Sequence, residues 1–417
     1  MNVAIVGAGI AGLTAASVLA RRHRVTVFEA EPRVGGHTNT AAVREGERLI
    51  PVDTGFIVFN EPNYPLLCRL FERLGVASRA SDMSFSVHCE KSGLEYNGTS
   101  LNTLFAQRAN LVKPRFWGML ADILRFAGDA RERLKNGLDD RVTVSDYAAS
   151  AGYGKAFLEH YLVPLGASLW SCSAERFARF PVRFVMEFLA NHGMLEVNGR
   201  PTWRTVIGGS STYLDRLIAP FADRIRLACP VLGVARSGAG VELTLSGNRR
   251  ERFDEVVLAG HADQSLAMLR DADDDERAVL ECFPYQANEV VLHTDPRVLP
   301  REPRAWASWN YRIPREPREL VSVTYNMNML QGIESERTYC VSLNQRAGID
   351  PRRVIRRIRY HHPLFGSGRT HAQSRHRDLL RRRGISYCGA YWGYGFHEDG
   401  VRSALAVCAA FDMDLDS

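Results

Sequence analysis

The chain has 417 residues, of which 45% are hydrophobic and 24% charged. That is too apolar for intrinsic disorder and long enough for two or three folding units of roughly 150 residues. The net charge of +6 is small for this length, and the arginines are scattered rather than gathered on one tail or helix, so nucleic acid is not an expected partner. No apolar run reaches the roughly 18 residues of a membrane span, and the eight cysteines show no C-x-x-C pair or Cys/His cluster, which excludes a zinc-finger pattern and gives no disulfide framework.

The first strand is expected over Asn2–Val6, a run of Val, Ala and Ile. Gly7-Ala8-Gly9-Ile10-Ala11-Gly12 follows, then a stretch with Ile10, Leu13, Ala16 and Leu19 near helical spacing, then a second strand over Arg24–Phe28 that ends at Glu29-Ala30. In such a unit the first glycine permits the tight turn, the second lets the backbone approach a pyrophosphate, and the third lets helix and strand pack closely. The helix start presents free N–H groups and a positive dipole end to phosphate. A carboxylate about twenty residues beyond the turn accepts hydrogen bonds from a ribose diol and repels a 2′-phosphate. The ligand therefore carries an adenosine diphosphate with a free ribose, FAD or NAD rather than NADP. Val3–Leu19 lacks the basic flank of a secretion signal, and the chain is read as cytoplasmic.

Past Glu29, Gly35-Gly36 offers a second close backbone approach, with Arg33, His37 and Thr38 as donors toward phosphate. Val52-Asp53-Thr54-Gly55-Phe56-Ile57-Val58 follows. Glu61–Val76 predicts a helix with Leu67, Leu70, Phe71 and Leu74 on one face. Leu101–Leu134 predicts two helices divided by Pro114, read either as a cover for a substrate cavity or as a basic amphipathic surface for an anionic membrane. Tyr147–Leu195 is expected to be mostly helical. Strands are expected over Glu289–Thr294, Val321–Asn326 and Thr338–Leu343, and an exposed loop over Pro296–Pro317. Arg352–Arg383, rich in Arg and His, reads as a solvated face or a contact for an anionic partner such as a phospholipid headgroup. Near the end, Tyr387–Val401 is rich in Gly and aromatics, and Arg402–Phe411 reads as an apolar helix.

The segments around Gly36, Gly55 and Gly400 resemble the flavin-containing amine oxidase and phytoene desaturase superfamily. Trp203–Ser210, Cys229-Pro230-Val231 and Val256–Asp263 extend the likeness. Closer still, Asp53–Val58, Leu169-Trp170-Ser171, Asn191-His192-Gly193, His361-His362-Pro363 and Gly395–Val401 resemble a bacterial branch found beside cyclopropane-fatty-acyl-phospholipid synthases. The resemblance runs from Met1 to about Phe411.

It implies an α/β fold: a Rossmann-like, glutathione-reductase-type FAD domain of three layers, from residues 1–60, 203–265 and 384–417, with an inserted α+β substrate domain from 61–202 and 266–383. It implies FAD held at Gly7, Gly9, Ile10, Ala11, Gly12, Glu29 and Ala30, with Gly36, His37 and Thr38 along the phosphates or ribityl chain. Gly55, Phe56 and Ile57 would meet the isoalloxazine, and the Val231 backbone the adenine. Glu398, Asp399, Gly400 and Val401 would open the last helix beneath the flavin's pyrimidine edge, where a helix start stabilises the reduced anion by roughly 0.3–2 kcal/mol. The family's Gly-Asp before this loop is Gly389-Ala390 here, so one ribityl or phosphate contact must come from elsewhere.

Tyr391, Trp392, Tyr394 and His397 are the expected substrate-facing residues. No catalytic side chain is assigned, since a flavin takes the hydride itself and the protein supplies geometry and a dry pocket. His261 and His293 read as structural, Cys388 as a free core cysteine, and no lysine can be placed against the flavin. The expected reaction is dehydrogenation of an apolar or amphiphilic substrate, a modified fatty-acyl chain being the concrete case. The alternatives are a true amine oxidase, or a non-catalytic flavin-bound partner or redox sensor of a lipid methyltransferase. Transient contact with the inner face of a membrane belongs to the same expectation.

Overall fold

The computed structural model describes residues 1–196, 199–238, 240–316, 320–345, 348–366 and 368–416. Strands β1 (Asn2–Val6), β2 (Arg24–Phe28), β3 (Ile225–Arg226), β4 (Glu255–Leu258) and β5 (Ile385–Tyr387) form one sheet in the order β3-β2-β1-β4-β5. All neighbours in it are parallel, with Ile5 opposite both Val27 and Val257. Parallel pairing needs crossovers, and the first is α1 (Ile10–Leu19). The helices that bear on the site are α1, α2 (Pro65–Arg73), α3 (Pro114–Asn136) and α4 (His397–Ala409).

β1 is buried from Val3 onward, which explains its continuous apolar run: a strand covered on both faces has no solvent side to alternate with. α1 is apolar all round because the sheet takes one side and α4 the other. The two strands fall on the residues the sequence predicts, and α1 carries the helically spaced Ile10, Leu13, Ala16 and Leu19.

A second, seven-stranded sheet runs in the order Val354–Pro363, Tyr285–His293, Cys340–Leu343, Ser322–Asn326, Trp309–Ile313, Phe85–Cys89 and Glu95–Asn97. It is antiparallel except where Trp309–Ile313 lies beside Phe85–Cys89. Its edge strand, Val354–Pro363, turns Arg356, Arg357 and Arg359 to solvent, a charged edge that discourages strand addition. Helices over 144–191 pack beside it around Trp170, whose ring lies 5.0–6.2 Å from those of Phe177, Phe180, Phe184 and Phe188.

The two halves are stitched by Trp203–Val206, which pairs antiparallel with Val58–Asn60 and Ser78–Ala80. Buried Asp53 is the knot. Its carboxylate accepts from the Ser210 amide at 2.9 and 3.0 Å, the Ser210 hydroxyl at 2.8 Å, Thr40 Oγ1 at 2.5 Å and Gln331 Nε2 at 2.9 Å. Burial nevertheless pushes the acid up to about 6.

Several expectations are corrected. The helix predicted over Glu61–Val76 begins only at Pro65 and ends at Arg73, since proline suits a first helical turn. The first of the two helices predicted over Leu101–Leu134 is a single turn, Leu101–Leu104, followed by a 3₁₀ turn, Arg108–Val112; only the second, α3, is long. The loop Pro296–Pro317 holds the strand Trp309–Ile313, and Pro317 lies outside the described residues. The last helix starts at His397 rather than Arg402.

Candidate functional site

The site is built where α1 and α4 begin. Gly7 has φ +109°, and a Cβ there would lie 3.0 Å from the Ala259 carbonyl carbon and oxygen. A Cβ on Gly12 would stand 1.9 Å from the Gly7 oxygen, so no side chain fits. Gly9 is different: a Cβ there meets nothing within 4 Å. It is also the N-cap of α1, with no side-chain cap and no acidic residue in the first turn. Among the described residues no acceptor meets the amides of Ile10, Ala11 and Gly12. A buried helix start with unpaired N–H groups facing open space is what a pyrophosphate satisfies.

Glu29 stands at the end of β2, its carboxylate accepting from the Ala8 amide at 2.8 Å and the Glu31 amide at 2.9 Å, one bond per oxygen. Each oxygen keeps a lone pair, which suits a ribose diol. The Cys229 amide donates to the Glu29 carbonyl at 2.8 Å, which brings Val231 to this end of the sheet; Ala30 beside it is exposed.

The Gly35-Gly36 turn folds over α1: the Gly35 amide donates to the Ala8 carbonyl at 2.7 Å, and a Cβ on Gly36 would lie 3.2 Å from Gly9 Cα. Arg33 does not reach outward as the sequence suggested. Its guanidinium donates to the carbonyls of Val34, Gly36 and Thr38 and so braces the turn. Gly55 and Phe56 lie against it, with the Phe56 amide donating to the His37 carbonyl at 2.8 Å. Ile57 is buried in the adjoining core.

α4 closes the site. A Cβ on Gly400 would lie 2.9 Å from Ile10 Cγ2 and 3.8 Å from the Ala11 nitrogen, so the first turns of α1 and α4 touch although they sit at opposite ends of the chain. The two acids at the start of α4 are committed within the protein. Asp399 accepts from the amides of Tyr394 and Phe396, both at 3.0 Å, and Glu398 from Leu66 and Leu67 at the start of α2, at 3.2 and 2.9 Å. What the Glu398–Val401 turn offers a cofactor is therefore backbone: the amides of His397 and Glu398 have no acceptor among the described residues.

His397 lies between these parts. Its ring stacks on Phe56 at 3.8 Å between centroids, and its Nε2 is 3.0 Å from Thr38 Oγ1, which in turn meets the Tyr213 hydroxyl at 2.6 Å. His37 stacks on Tyr360 at 4.7 Å with His362 at 5.2 Å, and its Nε2 is buried without a partner. His261 stacks on Tyr285 at 4.2 Å. Burial holds these imidazoles neutral: His261 and His362 fall to about 4, His397 to about 3, and His37 falls well below the usual range, with neighbouring histidines adding to the effect at His37, His261 and His362.

Of the expected substrate residues, only His397 joins the Thr38–Phe56 group. Tyr391 and Trp392 contact Phe283, Trp392 also stacks on His376, and Tyr394 stacks on Phe184. His293 is structural, bonded to Ser342 and to the Asp295 amide, and Cys388 is a buried free thiol. Asp53, Tyr213 and Tyr360 were assigned no individual role from sequence. Tyr360 was findable, being the buried residue beside the His361-His362-Pro363 signature. Among the described residues no group of His, Cys, Asp and Glu forms a metal site, and no helix is long and apolar enough to cross a membrane.

The family described as flavin containing amine oxidoreductase matches residues 10–333. The flavin-containing amine oxidase A of Bos taurus is 23% identical over 257 residues, 61% of this chain and 48% of that one; the chain spans about half the length of the curated relatives it matches. Among solved structures, cyclohexylamine oxidase from Brevibacterium oxydans superposes with a TM-score of 0.69 at 16% identity, covering 98% of both chains. The CLA-producing fatty acid isomerase from P. acnes superposes with 0.67 at 15% identity, again covering 98% of both.

Proposed function

The chain belongs to the flavin-containing amine oxidoreductase family, and from that premise we propose that this FAD-dependent oxidoreductase dehydrogenates an apolar or amphiphilic substrate, a fatty-acyl chain being the concrete case. The residues fit the cofactor: an uncapped α1, a glycine cradle, a ribose-ready Glu29 and an orphaned His37 nitrogen stand in one place. Bound FAD supplies the hydride acceptor. The chain supplies the rest. The amides of Ile10–Gly12 hold phosphate, and Glu29 orients the ribose. The His397 and Glu398 amides at the start of α4 would favour negative charge on a bound flavin ring, and Phe56, His397 and Thr38 would pack against its near edge.

The fold neighbours act on amines in one case and on a fatty acid in another, so the likeness does not choose between them. One observation favours the apolar substrate. An amine oxidase needs an aromatic cage to receive a cation, and the aromatic cluster beside α4 is already filled by one of the protein's own. Buried Arg369 lies with its guanidinium carbon 4.0 Å above Phe184, with Phe365 and Tyr394 within 6 Å, and it pairs with no carboxylate among the described residues. None of the four lysines, Lys91, Lys113, Lys135 and Lys155, belongs to the turns that open α1 and α4. A cavity of 1120 Å³ lies between α3 and the seven-stranded sheet, with Met119, Leu158, Val163 and Val321 in its wall beside Lys91, Arg115, Lys155, Glu159 and Arg312; an acyl chain would take its apolar side.

Anaerobic titration of the holoprotein with fatty acids, phospholipids and small amines tests the proposal. Bleaching of the flavin band by acyl compounds alone is expected, and bleaching by amines alone overturns it.

A further inference from the structure

The large apolar side chains left exposed elsewhere stand singly or in pairs, such as Leu227 and Leu232, but they concentrate along one segment. Leu101 is 76% exposed, Val112 82%, Leu124 61% and Trp117 50%, with Leu111 beside them. The cluster is held in place rather than left loose. Trp117 Nε1 donates to the Leu111 carbonyl at 2.9 Å, and its ring lies 5.4 Å from that of Phe105. Trp117 and Leu124 are two turns apart on α3 and share its outer face, while Phe116, Met119 and Phe126 point inward.

Cations flank this surface. Arg108 bonds to the Phe105 carbonyl and to Asn102, and Lys113 to Asn110. Arg304 lies on the Pro303–Ala305 turn that packs against Leu101–Leu104. None of the three has a carboxylate partner among the described residues, whereas exposed Arg179, Arg226, Arg250 and Arg357 elsewhere on the molecule each do. Exposed Trp, Leu and Val beside unpaired Arg and Lys is the composition that lies in a bilayer interface. The opposite face of α3 lines the cavity, through Arg115, Gly118, Met119 and Asp122.

We propose that residues 101–124 form the surface by which this protein seats on an anionic phospholipid bilayer. Leu101, Leu111, Val112 and Trp117 enter the headgroup region, and Arg108, Lys113 and Arg304 lie on lipid phosphates, with the cavity on the far side of α3. The proposal goes beyond the dehydrogenation reading and is tested without turnover, so either can fail alone.

The test is cosedimentation of the flavin-loaded protein with phosphatidylcholine vesicles, with and without phosphatidylglycerol, at low and high salt. Binding is expected only with phosphatidylglycerol and is weakened by salt. R108Q/K113Q is expected to weaken it about fivefold per charge removed, and L101S/V112S about tenfold. Both variants should keep the wild-type flavin absorbance and melting temperature, since these side chains are exposed. No binding, equal binding to uncharged vesicles, or binding that neither variant weakens overturns the proposal. So does a wild-type dimer that L101S/V112S converts to monomer, which would give the surface to a second copy of the chain.

Discussion

Gly12 in α1 and Gly118, one of two glycines in α3, do opposite things. At Gly12 the space of the missing side chain is taken by backbone, the Gly7 oxygen standing 1.9 Å from where a Cβ would be. At Gly118 a Cβ meets nothing within 4 Å. At Gly12 local geometry admits one residue type. At Gly118 the same residue type marks open volume. A turn that must let backbone touch a ligand is tightly specified there, while a helix face that borders open volume is not.

The sharpest way to break this contrast is Gly12→Val. It forces a branched side chain into the α1 turn, at a cost of about 3 kcal/mol or more for overpacking. Flavin content, read as the ratio of visible to ultraviolet absorbance, is expected to fall more than tenfold. A variant that keeps full flavin would show that the turn is not held as tightly as its geometry states.

Acid comes next. His261, His362 and His397 are held by burial below the usual histidine range, to about 4, 4 and 3. Below the unfolded value near 6.5 the unfolded chain binds protons that the fold refuses, so stability is lost as pH falls from 6.5 toward 4. At pH 5 the loss is about 2 kcal/mol per histidine. Asp53 and Asp399, both pushed up to about 6 by burial, act the other way. Their folded forms hold protons more tightly than the unfolded chain, so each returns about 1 kcal/mol over the same range. The histidines prevail, and lower melting temperature with release of flavin is expected at pH 5 relative to pH 7.5. Equal melting at the two pH values would mean that the histidine cluster opens to water.

How much of this was legible follows the same divide. β1 and β2 were readable to the residue, and α1 as a helix, because their signals are local: three glycines, one helical period and one acid. Strand pairing in the large sheet was not. Trp309–Ile313 hides between proline- and arginine-rich turns, and its partners, Phe85–Cys89 and Ser322–Asn326, include a strand from a distant part of the sequence. Glu398 and Asp399 were read as facing cofactor because they open the last helix. Sequence cannot show that α2 and the Tyr394–Phe396 loop take up their carboxylates. Arg33 misled for the same reason, its carbonyl partners being fixed only once the Gly35–Thr38 turn has closed.

In the substrate half, Gly118→Leu places a side chain in the cavity wall without touching the nucleotide half. Flavin content is expected to be unchanged, while the concentration of acyl substrate needed to bleach the flavin rises about tenfold, as for the loss of one good apolar subsite of about 1–2 kcal/mol. Unchanged bleaching would take the cavity off the substrate's path.

The smallest expected effect is the most discriminating, because one substitution is made in both helices. Gly118→Ala adds a methyl to an exposed position of α3, where it meets no atom. Alanine gives up less backbone freedom on folding than glycine, by roughly 0.5–1 kcal/mol in a helix interior. The melting temperature should therefore rise by about 1–2 °C. Gly12→Ala offers the same propensity gain and loses it at once, since its methyl sits inside contact distance of the Gly7 oxygen, a backbone atom that cannot swing aside. The two alanine variants should thus move in opposite directions, one melting higher with full flavin and the other lower with less. If both melted higher, the propensity gain would outweigh close approach at Gly12, and the phosphate-binding role of the turn would lose its structural footing.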